Sequence, residues 1–234
     1  MTRTPSSCGS RKPQPEPRHS LAAPRSARNC CSHALDVWIA TGQSVRVTRS
    51  HGDAVFDAQR VLDEVVDSLD QTWTQFDRGM SGLTQIEYLW EPVPGCWSVC
   101  DTGDGRSAVA DWADPDPDPS PVTTAAWRMW HIAVDCLDSY SRRRFDSAGT
   151  GLIGTQWVLD VEEARALLSS AWRGFRDPIV EGGPAQLAVS LGPSWGTYSE
   201  HSTLALILHA QREVTHHGAE IALLRDLHLA KHRA

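Results

Sequence analysis

What this 234-residue chain lacks narrows its function before any motif is read. It has no run of apolar residues near the roughly 18 that a membrane-crossing helix requires. It has no apolar segment of the kind a secretion signal carries. It has no surplus of positive charge: 22 Lys and Arg stand against 29 Asp and Glu, for a formal net charge of −7. The basic footprint of a general nucleic-acid binder is therefore missing. It contains no glycine-rich phosphate loop and no GxSxG elbow, so neither nucleotide hydrolysis nor serine-esterase chemistry has support. Its six cysteines, at 8, 30, 31, 96, 100 and 136, include no CxxC pair and are too sparse for a disulfide scaffold. Cys96 and Cys100 flank Trp97 with spacing unlike a structural zinc site and read as free thiols, and Cys136 reads as core packing. A reducing cytoplasm is the expected compartment. No internal repeat and no convincing strand alternation is visible.

What the chain does have is a tail followed by helical periodicity. Residues 1 to about 34 hold five prolines, six Lys or Arg and one acidic residue, Glu16. That composition cannot bury enough apolar surface to order itself, so residues 1–53 are expected to form a disordered or poorly structured extension. From Asp57, Val61, Leu62, Val65, Val66, Leu69, Trp73 and Phe76 fall on one helical face that ends near Gly79. A proline- and glycine-bearing loop follows from Trp90, then the alternating prolines of Asp114–Pro121, which favour an extended spacer. Thr123 or Thr124 can cap a second helix over about 123–144. A third helix is expected at about 160–175, and a fourth from Ser199 or Ser202 to about 230. The expected fold is all-α: a four-helix bundle with long connections over residues 54–232.

The chemistry concentrates in Arg212-Glu-Val-Thr-His-His217. Glu213 and His217 stand four residues apart, so a helix projects them from adjacent turns of one face. At about 100° per residue, Leu206, Ala210, Val214, Ile221 and Leu224 share that face, which marks it as core. Polar groups there need a partner. A local Glu–His hydrogen bond is one solution, and a bound metal ion is the other. His216 points off the core face and is the weaker ligand; His209 is a reserve ligand or a surface residue. Gly218, costly inside a helix, signals close approach of a neighbouring helix or room for a ligand. A third ligand would have to come from elsewhere. His131 is the best candidate, sharing a polar stripe with Arg128, Asp135 and Asp138 that alone reads as a solvated face. Asp135 and Glu220 lie near these residues on the helical wheels, without either being assigned as a general base.

Three segments carry a resemblance to a known family: Tyr88-Leu-Trp-Glu-Pro-Val-Pro-Gly-Cys-Trp-Ser98, Ala126-Trp-Arg-Met-Trp-His-Ile-Ala133 and Arg212-Glu-Val-Thr-His-His-Gly-Ala-Glu-Ile-Ala-Leu-Leu-Arg225. Over about residues 54–230 the chain resembles the DinB-like four-helix-bundle superfamily. In character it is similar to an actinobacterial-type branch that includes mycothiol-dependent maleylpyruvate isomerase, with bacillithiol transferases as relatives. The resemblance implies a divalent metal held by His131 from the second helix and by Glu213 and His217 from the last. Glutamate stands where the family more often has histidine. An alternative register pairs Arg212 with His216 and would leave a degenerate site. The implied ion is zinc, with nickel, iron or manganese also suited to nitrogen and oxygen ligands. The implied partners are a mycothiol-type small-molecule thiol and an electrophile, used in transfer or isomerisation; neither nucleic acid nor membrane is expected, and a homodimer is compatible with the fold. The rival readings are a metal- or small-molecule-binding stress-related bundle without turnover, and a helical interaction module without metal.

Overall fold

In the computed structural model, residues 57–115, 117–147 and 149–232 are described; the expectation for residues 1–53 falls outside them. Helix α1 (Ala58–Met80) starts where the Asp57 carboxylate accepts the amides of Gln59 and Arg60. The short α2 (Gln85–Tyr88) is opened by a reciprocal Thr84–Glu87 capping box. The second long rod combines α3 (Ala125–Trp130), a π-helical segment (His131–Asp138) and α4 (Ser139–Phe145). Thr124, one of the two expected caps, accepts the Trp127 amide. Helix α5 (Val161–Glu181) is capped by Asp160 and continues past Pro178, six residues beyond the expected end. Two 3₁₀ turns (Pro184–Ala188 and Pro193–Tyr198) lead to α6 (Thr203–His232), whose first turn is tied to the Ser202 hydroxyl. Among the described residues no helix is long and apolar enough to cross a membrane.

The long rods pack α1 on α6 and α5, and α5 against the π segment. Leu69, Met129, Ile132, Leu137, Phe175, Ile179, Ile207 and Val214 lie at the centre. Burial of each large side chain contributes about 1.5–3 kcal/mol, which outweighs helix propensity as the source of the bundle's stability. Gly218 resolves in favour of helix approach: a Cβ there would stand 2.7 Å from the Phe76 ring of α1.

No strand alternation marks a sheet in the sequence, yet one is present. Strands β1 (Val99–Asp101), β2 (Ser107–Ala110) and β3 (Gln156–Val158) form an antiparallel sheet in the order β1-β2-β3. Three or four residues are too few for alternation to register. Tyr88 fastens the sheet to the bundle by donating to the Val158 carbonyl at 2.9 Å and accepting from Trp157 Nε1 at 2.7 Å. Beside it, Trp127 Nε1 donates to Asp111 O and Trp130 Nε1 to Gly154 O, which fixes the start of the second rod.

The π segment explains a second departure. On an α wheel His131 and Asp138 lie about 20° apart and share the polar stripe. A π turn holds about one residue more than an α turn, so the residues after it lag by about 100°. Asp138 accordingly leaves the stripe and is fully buried. There it accepts from Thr150 N at 2.7 Å and pairs with Arg142. The neighbouring Gly149, at φ +65, has no room for a Cβ beside that carboxylate. Cys96 and Cys136 are buried free thiols, whereas Cys100, expected to be free, is disulfide-bonded.

Candidate metal centre

Helix α6 presents Glu213 and His217 on its core side, with His217 buried between Val214 and Ile221. His131 reaches them from the first residue of the π segment. The stripe on the second rod therefore faces α6 rather than solvent. Glu213 Oε2 lies 3.1 Å from His217 Nε2 and 3.6 Å from His131 Nε2. The two imidazole rings stand nearly perpendicular with centroids 4.7 Å apart. One ligand atom from each of the three residues falls within 4.8 Å of the other two. Ligands about 2.1 Å from a tetrahedral zinc ion stand about 3.4 Å apart, so the two carboxylate–imidazole separations fit such a donor set.

The electrostatics also suit a cation. Asp135, Glu213 and Glu220 bring three carboxylates, and Arg128 is the half-buried cation paired among them. Burial opposes the charged form of His131, but the Asp135 and Glu213 carboxylates outweigh it and push its pKa up to about 9. The ion-pair contact with His131, against the cost of burial, holds the Glu213 carboxyl down at about 2. A proton thus fills in for positive charge between these groups, a place that a metal ion can take.

The surroundings restrict motion. Trp127 stacks on His131 with centroids 5.3 Å apart and ring planes 8° from parallel. His131 Nδ1 lies 3.0 Å from Asp135 Oδ2, an ion-pair contact whose direction is wrong for a formed hydrogen bond. His217 Nδ1 is better served, with Glu220 Oε2 at 2.6 Å. His209 does not join the triad. Its Nδ1 lies 3.6 Å from the other Glu213 oxygen and accepts from Arg212, while its Nε2 meets the Tyr140 hydroxyl at 2.9 Å. His216, His217 and Glu220 also lie close enough together for a cation. There, however, Arg128 already reaches both Glu220 oxygens, with Nη2 3.1 Å from Oε1 and Nε 2.9 Å from Oε2.

Spacing on the sequence pointed to Glu213 and His217, the family resemblance implied His131 as the third ligand, and the fold brings these three together. The contributions of Arg128, Glu220 and Tyr140 were not read from it. Arg128 and Glu220 each stand three residues from a triad histidine, a spacing that places them one helical turn away. No curated protein and no solved structure matches the chain. A sequence model of the DinB superfamily matches residues 68–221, from α1 through the Ile221 turn of α6 and across all three triad residues. The chain belongs to the DinB superfamily.

Proposed function

We propose that this protein binds a divalent cation through His131, Glu213 and His217 and uses it on a low-molecular-weight thiol. The observation that carries this reading is the meeting of two Nε2 atoms from different rods at one carboxylate oxygen, at separations of 3.1 and 3.6 Å. Zinc is the favoured ion, with nickel, iron or manganese as alternatives compatible with two imidazoles and a carboxylate. Three protein ligands leave a position open, as catalytic rather than structural sites do. The chemistry the ion supplies is Lewis acidity, which polarises a carbonyl or lowers the pKa of a thiol.

The protein's own groups hold and shield. Trp127 covers one face of the His131 ring and limits its rotation. Glu213 joins the two rods through its contacts with both imidazoles. With Nδ1 accepting from Arg212, neutral His209 carries its hydrogen on Nε2 toward Tyr140. The reaction class is transfer of a mycothiol-type thiol to an electrophile, or thiol-assisted isomerisation.

The test is metal content of the purified chain beside Glu213→Ala and His217→Ala, followed by calorimetric titration with mycothiol. The parent is expected to hold about one equivalent of metal and the variants much less, with mycothiol binding only to the loaded protein. Metal without thiol binding would favour a metal-holding bundle without turnover. Equal metal content in all three proteins would sink the metal reading.

A further inference from the structure

His217 Nδ1 has two neighbours that make opposite demands. Glu220 Oε2, at 2.6 Å, can only accept a hydrogen from it. Arg128 Nη1, at 3.2 Å, can only donate one. A neutral imidazole carries a single N–H, so the two partners select different tautomers. If Arg128 prevails, the hydrogen moves to Nε2 and closes that atom to any cation. If Glu220 prevails, Nδ1 keeps the hydrogen and the Nε2 lone pair faces the meeting point with Glu213 Oε2 and His131.

Distance favours Glu220. All the competing contacts are charge-assisted, and its contact at 2.6 Å is shorter than that of Arg128 Nη1 at 3.2 Å and than the 3.1 Å that separates Nε2 from Glu213 Oε2. The guanidinium also spends most of its reach on Glu220, through Nη2 to Oε1 and Nε near Oε2. It braces the carboxylate rather than competing for the ring. His216 Nε2 adds a contact 3.3 Å from Oε1 on the solvent side.

We propose that Glu220, braced by Arg128, is a positioning residue that locks His217 into the tautomer and orientation offering Nε2 to the cation. The inference rests on the proposed metal site of His131, Glu213 and His217. In other metal sites, carboxylates that orient a ligating imidazole in this way contribute about 10–100-fold in affinity.

The experiment compares zinc affinity by chelator competition, at one fixed pH, for the parent, Glu220→Ala, Glu220→Gln and His217→Ala. Each protein is also loaded with cobalt and its visible ligand-field band recorded. The alanine variant is expected to bind zinc about 10–100-fold more weakly, with a shifted cobalt band. The glutamine variant, whose amide oxygen still accepts from Nδ1, is expected to recover most of the loss and the parent band. It also keeps the test valid should the alanine variant not fold. Affinity in Glu220→Ala within about twofold of the parent would overturn the proposal, as would a glutamine variant as weak as alanine, measured against the same range. Unchanged affinity in His217→Ala is a different failure: it removes the metal site itself.

Discussion

Two side chains from different rods hold opposite charges beside each other. His131 titrates at about 9 in the fold instead of its ordinary 6.5, and Glu213 at about 2 instead of 4.5. The raised imidazole contributes stability that is complete below pH 6.5 and disappears as pH climbs through 9. The depressed carboxyl contributes stability that is complete above pH 4.5 and disappears as pH falls through 2. Metal-free protein should therefore melt highest between about pH 4.5 and 6.5 and lose thermal stability toward pH 9. Bound zinc takes the proton's place and should remove the alkaline decline. Melting curves of chelator-treated and zinc-loaded protein, taken from acid to alkaline pH, read both effects, and an alkaline decline of equal size in Glu213→Gln would count against the pairing. Glu213 and His217 were legible because four-residue spacing on an otherwise apolar face is a local pattern, whereas His131, on another rod, entered through the family resemblance. Glu220 and Arg128 were not, because a wheel shows which side a group faces and not which of its neighbours it touches.

At the scale of elements, the long helices could be read and their local exceptions could not. Asp57, Thr124 and Asp160 are short polar side chains placed where a helix needs its first amides satisfied. The strands are too short to show a period, and Tyr88, Trp130 and Trp157, which tie them down, look like ordinary core residues in one dimension. The π segment breaks the assumption of about 100° per residue on which the wheel depends. Gly218 gives this scale its test. Alanine there gains about 1 kcal/mol in helix propensity but drives a methyl group into the buried Phe76 ring. Overpacking of that kind costs about 1–3 kcal/mol, so Gly218→Ala should be net destabilising. Chemical denaturation of both proteins checks it; a variant more stable than the parent would mean that α1 gives way easily.

Across the whole molecule, the proposed centre links the second rod to the last and so couples metal loading to the stability of the bundle. At a free zinc concentration about 100 times the dissociation constant, binding adds about 2.7 kcal/mol. For a domain of this size that corresponds to a rise of about 5–11 °C in the melting temperature. Differential scanning fluorimetry with and without zinc measures it. No rise at saturation, or an equal rise in Glu213→Ala, would show that the ion sits elsewhere. The π segment has a consequence for how relatives should be compared. Because it stores surplus backbone within a continuous rod, loss of a single codon there would restore the α coil and cancel the lag, re-aiming side chains within the segment while those before and after it keep their directions. Correspondence between members of the superfamily then depends on chain length as well as on residue type, and an alignment that slides past a one-residue gap would set the wrong acidic group opposite the last helix.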